Sequence, residues 1–130
     1  MKTYSFRLTQ GQDLRQEIET FLHEKDIAAA VILSGVGGLS RINLRLADPR
    51  KFLTRELDVE IVSVTGTLSK NGSHLHLSVS DEAGVTYGGH LSKGNVVRLT
   101  VEIVIGLIEA TYERKPDETT GYDELTIIEA

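Results

Sequence analysis

Asn71-Gly72 stands between two runs of alternating residues, Leu57 to Leu68 before it and Ser73 to Ser80 after it. The pair readily takes the positive backbone φ angles of a tight hairpin turn, so the two runs are expected to pair as antiparallel strands. The first run is rich in β-branched residues and reads as a central strand, with Gly66 marking a bulge or a close backbone approach. In the second run His74, His76, Ser78 and Ser80 share one face. Leu75, Leu77 and Val79 share the other and point toward a core.

The rest of the chain fits around that hairpin. Tyr4, Phe6 and Leu8 alternate with polar residues as a half-buried first strand, which Gly11 breaks. Asp13 followed by Gln16 predicts a helix N-terminus, and Leu14, Ile18, Phe21 and Leu22 carry helical spacing to about Lys25. His23 lies inside that helix as a solvated residue. Ile27 to Leu33 reads as a buried strand ended by a Ser34–Gly38 backbone turn. Ile42, Leu44 and Leu46 alternate as another strand, Asp48-Pro49 opens a turn or short helical piece, and Val96 to Ile108 is the longest apolar alternation. Around Pro116 a polar loop is expected, followed by a short last strand from Leu125 to Ile128. The predicted class is α+β (α/β in the looser sense): one domain over residues 1–130, with a mixed, mostly antiparallel sheet and few helices.

Charge and composition exclude some functions. The net charge of −5 sits in residues 109–130, where seven acids face only Arg114 and Lys115. Arg41, Arg45, Arg50, Lys51 and Arg55 form a local basic segment, yet the chain's pI of about 5.3 is far from the basic balance of a typical nucleic-acid binder. Without cysteine there is neither a disulfide nor a thiolate ligand. No apolar run is long enough to cross a membrane and no signal-peptide core is visible, so a cytoplasmic protein is expected.

The chemistry concentrates in three histidines. Imidazoles at i and i+2 of a strand stand roughly 7 Å apart at their β-carbons and can converge on one ion. Gly88-Gly89 frees the backbone to bring His90 inward from a loop, the glycines serving as close-approach positions and Ser78 as a hydrogen-bond partner behind the rings. His74, His76 and His90 are therefore the expected ligands of zinc or another divalent metal, with one coordination position open. Glu60 and Glu102, each inside an apolar strand, are the acids that could serve as a base.

These segments together resemble the plant and prokaryote conserved (PPC) domain family. The resemblance rests on Leu33-Ser34-Gly35-Val36-Gly37, on Val59 through Leu68, and on His74-Leu75-His76-Leu77-Ser78. Gly84 through Leu91 and Thr100 through Ile105 extend it over essentially the whole chain. It implies a compact homotrimeric domain, a fold like that of acetolactate decarboxylase, and a metal held by His74, His76 and His90. The family's prokaryotic label implies DNA binding or a regulatory role. The decarboxylase relation implies instead a zinc-dependent lyase or hydrolase, or a sensor, acting on a small anionic metabolite.

Overall fold

The computed structural model describes residues 1–129. Eight strands and one helix follow in the order β1 (Thr3–Thr9), α1 (Leu14–Glu24), β2 (Ala29–Arg45), β3 (Phe52–Ser69), β4 (Gly72–Ser80), β5 (Thr86–Leu91), β6 (Val96–Leu107), β7 (Ala110–Pro116) and β8 (Asp123–Glu129). Six strands make one sheet in the order β1-β6-β2-β3-β4-β5, and β7-β8 is a separate hairpin. Every strand pairing among the described residues is antiparallel, so the mixed sheet expected from sequence is corrected to an antiparallel one.

The Asn71-Gly72 turn does what its sequence predicts: β3 and β4 pair from Ser69 opposite Gly72 to Glu60 opposite Ser80. At the helix, the Asp13 carboxylate accepts a hydrogen bond from the Gln16 amide at 3.0 Å, and its other oxygen accepts from the Gly94 amide. Leu14, Ile18 and Leu22 are buried along one face of α1, each contributing about 2 kcal/mol of apolar burial. Phe21 stacks on Phe6 with ring centroids 4.0 Å apart, fixing the helix over β1.

β2 departs most from expectation. Ser34–Gly38 is no turn; the strand runs through it, with pairing irregularities between Ile32 and Ser34, between Gly37 and Leu39, and between Leu39 and Arg41. Its glycines are there for space. A β-carbon at Gly35 would overlap Val64 Cγ1, and one at Gly37 (φ +144°) would overlap the Thr100 carbonyl oxygen. Bent in this way, β2 pairs with β6 and β3 along its length and with β5 at its end, where Leu44 faces Leu91 and Arg45 faces His90. Strands β2, β3, β4 and β5 therefore close on themselves. The polar loop expected around Pro116 is likewise part of a strand, because β7 continues to Pro116, which pairs with Asp123.

The core packs α1 against the inner face of the sheet through Leu8, Leu39, Ile42, Leu44, Leu75, Leu77, Leu91, Val101 and Ile103. One polar group is fully buried among them. Asn95 donates to the Asn43 and Ser92 carbonyls and accepts from the Asn43 amide, so its burial leaves no side-chain hydrogen bond unmade.

Candidate metal centre and the cleft beside it

Strand alternation sets the site. Leu75, Leu77 and Val79 of β4 are buried, and His74 and His76 face outward. His90 lies on β5 itself, directly opposite His76, so the expectation that it comes in from a loop is corrected. Gly88 and Gly89 are strand residues too. A β-carbon at Gly89 would lie 2.8 Å from the Arg45 carbonyl oxygen, so glycine there lets β5 close against β2. Reading across the strands, Thr65, His76, His90 and Arg45 form one row.

The rings sit as that row requires. Their centroids are 4.9 Å apart for His74 and His76, 5.7 Å for His74 and His90, and 5.9 Å for His76 and His90. One nitrogen from each lies within 4.8 Å of the other two. A tetrahedral zinc needs nitrogens about 3.3 Å apart, from bond lengths of about 2.0–2.1 Å, a gap that small ring rotations close. His90 Nδ1 is buried without a hydrogen-bond partner among the described residues. Such an orphaned nitrogen in a cluster of imidazoles fits a bound cation.

Protonation favours the same use. Burial pushes the His90 imidazole down to about 4, helped by Arg45, Arg15, His74 and His76 around it. Burial, then His76 and Arg114, also lowers His74, against an opposing pull from Glu124. Both rings are therefore neutral at pH 7, the form that binds metal. The sign for stability follows. An imidazole depressed in the folded state is protonated more readily in the unfolded chain, so its contribution is complete above pH 6.5 and is lost as the pH falls toward 4. We expect the thermal midpoint of metal-free protein to fall across that window, and to fall less in His90→Gln, as a pH series of melting curves would record.

Several residues that sequence reasoning missed complete the surroundings. Arg15, on α1, donates to the Leu91 carbonyl at 2.6 Å and the Ser73 carbonyl at 3.1 Å, and lies 3.2 Å from His90 Nε2. It thus ties the helix to the ends of both histidine strands. Arg114 of β7 donates to Thr67 Oγ1 at 3.0 Å, and Thr67 stands opposite His74. The histidines border two adjoining clefts. One, of about 630 Å³, is lined by Arg45, Ser63, Thr65, Ser78, Gly88, Gly89 and Tyr122. The other, of about 470 Å³, is lined by Arg15, Arg45, Arg114, Tyr122, Asp123 and Glu124.

The remaining sequence candidates separate. Ser78 is at the site, its hydroxyl 2.9 Å from that of Ser63, and is a cleft wall together with Gly88 and Gly89. Glu60 and Glu102 line neither cleft: Glu60 pairs across from Gly38 and Ser80, and Glu102 from Arg7 and Val36. The acids that share a cleft with His74 and His90 are Asp123 and Glu124, and of the two Glu124 acts on the His74 ring. His23 is exposed on α1, away from the cluster.

The whole chain is similar to several known proteins. A model of the Plants and Prokaryotes Conserved (PCC) domain matches residues 1–109. A stretch of the bifunctional protein GlmU from Synechococcus sp. (strain JA-3-3Ab) is 43% identical over 128 residues, covering 98% of this chain and 21% of that protein. The chain thus spans about a fifth of the length of its curated relatives. A hypothetical protein from Salmonella superposes with a TM-score of 0.94 at 39% identity, over 98% of this chain and 94% of that one. The metal-containing protein AF0104 from Archaeoglobus fulgidus superposes at 0.77 with 32% identity, over 97% and 94%.

Proposed function

From a chain that belongs to the Plants and Prokaryotes Conserved domain family, we propose a divalent-metal-binding domain, with zinc as its ion, that receives a small anionic ligand at the metal. The observation that carries this reading is the convergence of His74, His76 and His90, within 4.8 Å of one another, on the border of a cleft. Three histidine ligands leave one position for a ligand from the cleft. The metal content of AF0104 supports the same use of the fold. A 43% identical stretch inside the much longer GlmU supports a unit that works within other architectures.

A metal-dependent lyase or hydrolase is the second reading, and Glu124 favours it. This carboxylate lines the cleft beside His74 and raises that ring's basicity. A zinc ion held by the three histidines would supply a Lewis acid to polarise a carbonyl or activate water, and Glu124, in the adjoining cleft, would be the carboxylate to take up a proton. The acetolactate-decarboxylase-like relation belongs to this reading.

DNA is the weaker partner. Within and around the basic segment, Arg41 pairs with Glu56, Arg50 with Asp48 and Arg98 with Asp58, so only Arg45, Lys51 and Arg55 of that segment are without an ion pair among the described residues, fewer than the basic stripe of a typical nucleic-acid binder. A homotrimer is part of the proposal, supported by Leu33, Val36, Val62 and Leu99, exposed on β2, β3 and β6. Purified protein should carry about one zinc per chain by elemental analysis and run in light scattering near three times 14.3 kDa. A metal-free protein that also fails to take up added zinc, cobalt or manganese would rule out the metal; a particle of 14.3 kDa would rule out the trimer.

A further inference from the structure

The arginines of this chain divide by their partners. Arg15, Arg41, Arg50 and Arg98 each have a carboxylate partner. Arg7 donates to Thr100, and Arg55 lies over the Tyr87 ring. Arg45 and Arg114 are different. Both are half-buried, neither is in an ion pair among the described residues, and both border the histidines.

Their placement follows from the fold. Arg45 is the last residue of β2, and its register partner is His90, so the two side chains rise side by side on one face of the sheet. Its guanidinium has no hydrogen-bond partner in the described protein, although its side chain walls both clefts. Arg114 approaches from the other side. The β7–β8 hairpin carries it to Thr67, opposite His74, and Thr67 satisfies only one of its five N–H donors. Guanidinium groups that open on a cleft without an acid partner keep N–H donors free for a ligand's oxygens.

We propose that Arg45 and Arg114 form an oxyanion subsite, holding the carboxylate or phosphate group of a small ligand whose other end lies against the histidine cluster. The inference rests on the metal-site reading for that second end, but the subsite itself is built from the arginines. Planar guanidinium forks match both oxyanions in bidentate geometry. Asp123 and Glu124 on the same hairpin wall disfavour a second anionic group there. The ligand's remaining polar groups are therefore neutral donors, hydroxyls above all. The hairpin is thus the specificity wall of the site: its residues lie beyond the 1–109 stretch that the family model covers.

Calorimetry on the zinc-loaded protein tests this with glycolate as the carboxylate probe, glycerol 3-phosphate as the phosphate probe and glycerol as the neutral control. Wild type should bind at least one of the two anions and not glycerol, and the stronger one identifies the oxyanion class. Arg45→Gln and Arg114→Gln should each weaken that binding ten-fold or more, whereas Arg98→Gln, at a distant ion pair, should not. Zinc retention against a competing chelator should be unchanged or tighter in Arg45→Gln, since a cation beside the ion is removed. Arg45→Lys, which keeps the charge and loses the fork, should fall between. Wild-type affinities for both anions no better than for glycerol, or equal affinities in wild type and both glutamine variants, would overturn the subsite. If wild type takes up no zinc yet anion binding still depends on Arg45, the subsite stands and the metal reading falls.

Discussion

His76→Ala is expected to purify with almost no divalent metal and to lose the stabilisation that metal confers, while folding normally. His76 lies opposite His90 across the β4–β5 pair and two residues along the strand from His74, with its ring 4.9 Å from that of His74 and 5.9 Å from that of His90. Removing it leaves two imidazoles that cannot hold the ion in competition with water, and affinity should fall by at least about a hundred-fold. A ligand at a hundred times its dissociation constant stabilises by about 2.7 kcal/mol, or roughly 8–10 °C in melting temperature for a domain of this size. Wild type should therefore melt lower after chelation by about that amount, and His76→Ala should show no chelator effect. The variant's own melting point should match that of metal-free wild type, because the His76 side chain is exposed and its loss opens no core cavity.

Gly66→Ala should lower stability strongly. Gly66 lies in β3 opposite Leu75 of β4. A β-carbon there would overlap the His74 carbonyl oxygen and stand 2.6 Å from Leu75 Cδ2. Leu75 is fully buried and the carbonyl belongs to the strand backbone, so neither can yield without moving β4. The cost should be about 3 kcal/mol or more, a large part of the roughly 5–15 kcal/mol available to a domain. Since β4 carries two of the histidines, metal affinity should fall with it. Gly84→Ala gives the contrast: its backbone φ is +81°, but nothing lies within 4 Å of an added β-carbon. Only local backbone strain is felt there, about 1 kcal/mol. Urea denaturation of the two variants beside wild type measures the difference. Equal losses would show that strand spacing at Gly66 is not the constraint.

Local chemistry made part of this site readable without coordinates. Asn71-Gly72 specifies its hairpin, Asp13 its helix cap, and the His74-Leu75-His76 alternation its outward face, because turn type, capping and strand period all act over a few residues. Pairing between distant strands has no such local mark. The glycines at 35, 37 and 38 look like a turn because glycine favours turns; in the fold Gly35 lets β2 pass close to Val64, Gly37 close to the β6 backbone and Gly38 close to the Val59 carbonyl of β3. His90 looked like a loop ligand because Gly88-Gly89 precedes it, whereas the close approach of β2 is what requires a residue without a side chain at Gly89.

The acids show the same limit. Glu60 and Glu102 stood out for their apolar neighbours in sequence, yet the register carries them away from the clefts, and a hairpin forty-eight residues past His76 delivers Glu124 instead. For Arg45 a signal did exist. It alternates with Leu44 and Leu46, so it had to leave the core face; only the β2–β5 pairing reveals that His90 is its neighbour.

The most direct measurement is an anomalous difference map from crystals of the zinc-loaded protein, recorded on both sides of the zinc absorption edge. The account predicts one strong peak per chain, about 2.0–2.1 Å from a nitrogen of each of His74, His76 and His90. No peak among those three rings, or zinc held elsewhere while they stay apart, would contradict it.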